Sequence, residues 1–140
     1  MRRLRVKAKK SWSDDEREMV KLATLWGMNK LDLNLSPVPI DIHLKGEQME
    51  YGDAIDLEYK IVIRLFKSDA WIETLFHELE HARQYIYCEL ALESDYAYWR
   101  GDVMRRADVD YADEPWEIEA RRVEEKLSTK FRKEILTLIT

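Results

Sequence analysis

The segment TLFHELEHARQY (residues 74–85) places His77 and His81, two of the three histidines in the chain, four residues apart. On an α-helix that spacing is about one turn, so both imidazoles project from one side and one cation can bind both. Glu78 lies roughly 100° round the helix from His77. That is too far to complete the coordination, but near enough to reach a water held on the ion. The pattern His-Glu-x-x-His thus combines two neutral nitrogen ligands with an adjacent base that does not ligate. The apolar residues Leu75, Phe76, Leu79 and Ala82 form a stripe that would hold this helix against a core, with the two histidines flanking it where a cleft can form.

A hydrolytic metal site of this kind needs a third protein ligand and one position left for water. His43 sits on the polar side of an alternating strand and reads as solvent-facing. Cys88 lies two turns along the same helix, too far to close the coordination, and reads as a packing residue. A carboxylate from another element is therefore expected, and PWEIEAR (residues 115–121) offers Glu117 and Glu119. Both flank the Trp116, Ala120, Val123 and Leu127 face of a final helix by similar angles, so periodicity leaves the two open.

The elements that must position these groups follow from pattern. Ser13 and Glu16 make a capping box for a first helix reaching about Met28, with Met19, Leu22, Ala23 and Trp26 on its apolar face. Pro37 and Pro39 end helical character. PIDIHLK (residues 39–45) alternates with period two, YKIVIRLF (59–66) is the most β-prone run, and EQMEYGDAIDL (47–57) offers a short strand between them. The expectation is a small, mostly antiparallel three-stranded sheet. Ser68 is expected to cap the long histidine-bearing helix. An aromatic, irregular stretch follows, and Pro115 marks the first turn of the last helix. The fold class is α+β.

Bulk properties narrow the function. A length of 140 residues suits one domain, expected over residues 11–140. No apolar run approaches the roughly 20 residues of a membrane helix, and the basic start is not followed by an apolar stretch as in a secretory signal. With a single cysteine and no disulfide framework, the expected location is cytoplasmic. Residues 1–10 carry six Lys or Arg and no acid, which leaves a charge near −11 for the rest. That balance argues against a general nucleic-acid binder and suggests a basic flexible arm.

The motif HExxH followed by a glutamate-bearing helix resembles the gluzincin group of zinc metallopeptidases. The compact layout over roughly residues 36–127 is similar to their smallest members, the minigluzincins, and to SprT-like and phage-encoded metallopeptidases. The resemblance implies a minimal zincin-like fold and one Zn²⁺ held by His77, His81 and a glutamate. In related families that glutamate stands three residues before an alanine, which nominates Glu117 ahead of Ala120. Arg121 occupies the place where some families carry an acid that supports a ligand histidine, and Glu80 is charged where many zincins are not. The implied activity is hydrolysis of peptide bonds, with Glu78 as general base and a tyrosine among Tyr96, Tyr98 and Tyr111, foremost Tyr111, aiding the oxyanion. By resemblance, a strand within residues 47–66 would bind the peptide or protein substrate by strand addition. The alternative is a latent or inactive zinc-binding domain acting as an interaction or assembly module, its groove filled by a terminus or by another copy. For that role the tail supplies Phe131, Ile135, Leu138 and Ile139.

Overall fold

A computed structural model of the chain describes residues 4–139. The architecture is α+β, with a four-stranded sheet in the order β1-β2-β4-β3 and a separate three-stranded sheet, β5-β6-β7. Strand β1 (Leu4–Ala8) leads through α1 (Asp14–Lys30) to β2 (Ile40–Lys45). The helical crossover lets β1 and β2 run parallel, Leu4 opposite Ile40 and Ala8 opposite Leu44. Strand β3 (Gly52–Asp56) turns back on β4 (Ile61–Phe66) as an antiparallel pair, and β4 lies parallel to β2.

Two expectations are corrected here. The first sheet has four strands and is mixed, because a helix rather than a hairpin joins β1 to β2. Residues 4–8 of the supposed basic flexible arm are that first strand (residues 1–3 lie outside the described residues). Leu4, Val6 and Ala8 alternate with Arg5 and Lys7, the apolar set packing against the main core while the charged pair is exposed. Beside them, β2 is buried along most of its length, so His43 is not solvent-facing. It is half-buried, its Nε2 has no partner, and its pKa is pushed down by burial and by the charges of Lys7 and Lys45.

The capping box forms as expected. Ser13 Oγ accepts from the Glu16 amide at 3.1 Å, and the Glu16 carboxylate accepts from the Ser13 amide at 2.8 Å. The buried face of α1 runs through Val20, Ala23, Thr24 and Gly27, leaving Leu22 exposed. At Gly27 a Cβ would stand 2.9 Å from both Leu79 and Phe76 side-chain carbons, so α1 crosses the next helix only because the side chain is missing. That helix, α2 (Trp71–Ile86), buries Ile72, Leu75, Phe76, Leu79 and Ala82 against the sheet and α1. The larger of these side chains each contribute about 1.5–3 kcal/mol by leaving water, which holds α2 firmly against the core. Ser68 does not serve as its N-cap. Ser68 Oγ accepts from the Ala70 amide, and Ala70 takes the cap position.

The aromatic stretch expected to be irregular is the second sheet: β5 (Leu90–Leu92), β6 (Tyr96–Trp99) and β7 (Asp102–Arg105), all antiparallel. Arg100 and Gly101 both have positive φ (48° and 91°), the two-residue turn whose twist suits a tight hairpin. Leu90, Ala97, Trp99 and Trp116 make a small second core beneath it. Helix α3 (Pro115–Phe131) begins with its proline in the first turn and packs along α2.

Chain beyond α3 continues as a π-helical turn (Arg132–Leu136) and a last helical turn, α4 (Thr137–Ile139). Phe131, expected to be available to a partner, is fully buried between Trp26 and Phe76, with ring centroids 5.3 and 5.7 Å away. Ile135 and Leu136 also pack on the main core, whereas Leu138 and Ile139 are exposed. No helix among the described residues is long and apolar enough to cross a membrane.

Candidate metal centre

His77, His81 and Glu117 come together at the α2–α3 contact, with one ligand atom from each within 4.8 Å of the others. His77 Nε2 stands 2.9 Å from one Glu117 carboxylate oxygen, and His81 Nε2 stands 3.0 Å from the other. The helical spacing brings the rings edge to face, with centroids 4.9 Å apart. His81 and Glu117 are buried and His77 is half-buried.

The far sides of both rings are held. His81 Nδ1 is 2.8 Å from Gln84 Oε1, and the Gln84 amide nitrogen donates to the Trp116 carbonyl at 3.1 Å. Because that nitrogen is committed, the Gln84 oxygen must accept. Nδ1 of His81 therefore carries the proton, and Nε2 offers its lone pair. His77 Nδ1 likewise faces a Glu124 carboxylate oxygen at 2.8 Å. The neutral form of each ring thus turns a lone pair toward the carboxylate of Glu117. His81 Nε2 is buried and, though near Glu117, finds no aligned hydrogen-bond partner. With neutral rings the electron pairs converge with no proton between them, a charge that either protons or a metal cation can balance, and two imidazoles plus one carboxylate are a metal-ligand set. This group can hold a metal ion.

In the metal-free protein, protons take that role. Burial works to lower both histidines, but Glu117 and the Glu78 charge outweigh it. The His77 pKa is raised to about 9, and that of His81 is raised as well. Burial works to raise Glu117, yet the two histidines hold its carboxyl well below the usual range.

Glu78 stands apart from this pairing. It is 7% exposed, and its carboxylate makes no hydrogen bond or ion pair among the described residues. Burial pushes its pKa up to about 7 against the pull of His81 and His77. That is the range in which a carboxylate exchanges protons near neutrality. Beside it, Gly52 of β3 has no room for a side chain, since a Cβ there would lie 2.7 Å from the Arg64 carbonyl oxygen and 3.7 Å from Glu78 Cγ. In the sheet order, β3 is an edge strand, so one of its sides is unpaired next to the site.

Only one of the two candidate glutamates reaches the histidines. Glu119, two residues on, points to Arg100 at 2.6 Å and Arg83 at 3.4 Å. Arg83 also grips Glu80 and Glu89. The charge of Glu80 inside the motif thereby has a structural use. Its carboxylate is 1% exposed and ties α2, through Arg83, to the β5–β6 hairpin and to α3. Arg121 donates to the Ala112 carbonyl, fastening α3 to the turn that carries Tyr111.

Of the three tyrosines, Tyr111 lines the cleft beside Glu78, whereas Tyr96 and Tyr98 stand exposed on β6, away from it. Partial burial and the charge of Glu117 push the pKa of the Tyr111 hydroxyl up and keep it protonated, although the residue as a whole is exposed. Cys88 is no packing residue. It is exposed with φ 59°, in the left-handed region just past the end of α2.

Sequence reasoning missed Glu124, Gln84 and Tyr85. Glu124 is two helical turns after Glu117, and Gln84 is three residues after His81, so both spacings place them on the ligand faces. Tyr85 lines the cleft near His81 and Glu117, and burial together with the charges of Asp56 and Glu78 pushes its hydroxyl up to about 12. Comparison with protein-family models, with curated proteins and with solved structures gives no match.

Proposed function

We propose that the protein is a zinc-dependent metallopeptidase of the gluzincin type, with His77, His81 and Glu117 as ligands and Glu78 as general base. The observation that carries this reading is Glu78: a buried, unpaired carboxylate beside three converging ligand atoms. A structural ion-binding site has no use for such a group, and the cost of burying it without a partner points to a role in chemistry.

Two imidazoles and one carboxylate suit Zn²⁺ with a coordination position left open. When bound, the ion supplies Lewis acidity to a carbonyl oxygen and lowers the pKa of water. Glu78 takes the proton of the attacking water and delivers it to the departing amine. Tyr111, held protonated, is the donor for the developing oxyanion. Glu124 and Gln84 keep the two imidazoles in the required tautomer and orientation. The open edge of β3 offers backbone donors and acceptors to an extended substrate. Phe131 of the tail is packed in the core, and no described residue beyond Ser128 lines the cleft beside Glu78.

The test pairs metal analysis with proteolysis of an unfolded protein. The Glu78→Gln variant is expected to keep one ion per chain and to lose roughly 10²–10⁴-fold in rate. Glu117→Ala should lose the ion, and Glu119→Ala should keep it. Undiminished cleavage by Glu78→Gln, or full metal retention by Glu117→Ala, would overturn the assignment.

A further inference from the structure

The part of the cleft toward the second sheet holds about 210 Å³ and is bounded by β3, α2 and α3. Glu78, His81 and Tyr85 line it from α2. Tyr85 follows Glu78 by seven residues and His81 by four. The three therefore lie along one face of the helix, about 10 Å from the first Cα to the last. A helical side chain leans toward the N-terminal end of its helix, which carries the Tyr85 ring back over the turn of His81.

Every other titratable side chain lining this part has a partner or a place in the proposed chemistry. Arg64 holds Asp53 through two hydrogen bonds. His81 and Glu117 are the ligands, Glu78 is the base and Tyr111 the oxyanion donor. Tyr85 has neither. Its ring packs against both the main core and the second core, so it is held from two sides. Its hydroxyl makes no hydrogen bond among the described residues. Nor is that oxygen sealed from solvent, since the buried side-chain atoms without a partner are His43 Nε2 and His81 Nε2. A tyrosine hydroxyl drawn in from bulk water ordinarily finds a partner. Here that place is open to whatever occupies the cleft. Burial and the charges of Asp56 and Glu78 push the hydroxyl pKa up to about 12, so at neutral pH it holds a proton to donate.

We infer that Tyr85 is a substrate-binding residue whose hydroxyl donates to a main-chain carbonyl of an extended polypeptide, on the second-sheet side of the reacting bond. The inference rests on the peptidase reading above and adds a residue to it. A strand laid along β3 turns every second carbonyl away from that strand. Such a carbonyl gives up water on binding and is costly to leave unpaired. A donor fixed on the ligand helix by two cores satisfies it with little ordering cost and sets the chain in register with Glu78. The bond is made in the ground state and the transition state alike, so it acts on binding rather than on turnover.

The experiment compares the zinc-loaded full chain with Tyr85→Phe, which keeps the ring and removes the hydroxyl alone. The probe is an oligoalanine phosphinic peptide, with a tetrahedral phosphinate in place of the reacting amide. It is made as a series in which each main-chain carbonyl in turn is replaced by methylene. One replacement is expected to weaken binding to the parent about 3–10-fold and to leave binding to Tyr85→Phe unaltered. Hydrolysis of an unfolded protein should show a loss of similar size in KM and not in kcat. The melting temperature of Tyr85→Phe should equal that of the parent, because no protein group loses a partner. Replacements that weaken both proteins equally, or a Tyr85→Phe variant with a lower melting temperature and an unaltered KM, overturn the inference and leave the hydrolase reading standing. If nothing is cut, the hydrolase reading fails by itself, and the phosphinic series still decides Tyr85. A parent that binds no member of the series overturns the inference as well.

Discussion

His77 Nδ1 and a Glu124 carboxylate oxygen stand 2.8 Å apart, joining α2 to α3 behind the metal-ligand face of the ring. Glu124 follows Glu117 by two helical turns, so one face of α3 supplies both a candidate ligand and the carboxylate that contacts a candidate ligand histidine. Arg121, found where an acid was looked for, leaves this function to a residue one turn farther on. Glu124→Ala is expected to weaken metal affinity about 10–100-fold, read by competition with a chromogenic chelator. Affinity unchanged by that substitution would show that the contact orients nothing.

Metal uptake should depend on pH in a defined direction. The His77 pKa is raised from 6.5 to about 9, so its protonated form stabilises the metal-free fold fully below pH 6.5. That stabilisation is lost as pH rises through about 9. A cation needs the neutral ring, so binding at pH 7 must release the proton, and affinity must rise over the same window. Calorimetry in two buffers of different ionisation enthalpy should register about one proton or more released per ion. No proton release at pH 7 would contradict the paired geometry.

Phe131 ties the end of α3 to α1 and α2. Phe131→Ala is expected to cost about 3–5 kcal/mol, a large share of the roughly 5–15 kcal/mol that holds a typical domain together. Removing residues 128–140 should therefore unfold the protein instead of activating it. Urea denaturation of both variants checks this, and a truncated chain with an unchanged midpoint would refute it.

Gly52 sits where β3 packs against α2. In Gly52→Ala the new Cβ would stand 2.7 Å from the Arg64 carbonyl oxygen and 2.8 Å from Thr74 Cγ2. The first of these is backbone in the β3–β4 pairing and cannot turn aside. A loss of about 1–3 kcal/mol is expected, with faster amide exchange confined to β3. A melting temperature equal to that of the parent would show that the two elements separate freely.

Several local features were readable directly. The capping box at Ser13, the proline start of α3 and the apolar stripe of α2 all concern residues within one or two turns of each other. The β5–β7 sheet was also within reach, since Tyr96–Trp99 and Asp102–Arg105 flank an Arg-Gly pair. The signal was obscured because Arg100 is an unusual occupant of a left-handed turn position. Strand β1 carries a period-two pattern too, but the six basic charges within and beside it point to solvent exposure. Its pairing with β2 depends on a partner more than thirty residues away.

The sequence by itself determined that His77 and His81 share one side of a helix with Glu78 beside them, because 3.6 residues per turn leaves a continuous helix no other choice. It also narrowed the third ligand to Glu117 or Glu119. Which of the two faces the imidazoles is set by the tertiary structure: α3 docks on α2 with Glu117 turned to the imidazoles, while Arg83 and Arg100 draw Glu119 the other way. The same docking recruited Glu124 and Gln84 and left Glu78 unpaired. Spacing along one helix is set by local backbone geometry, whereas which faces of two helices meet is set by the packing of the whole core, and no window of residues contains that information.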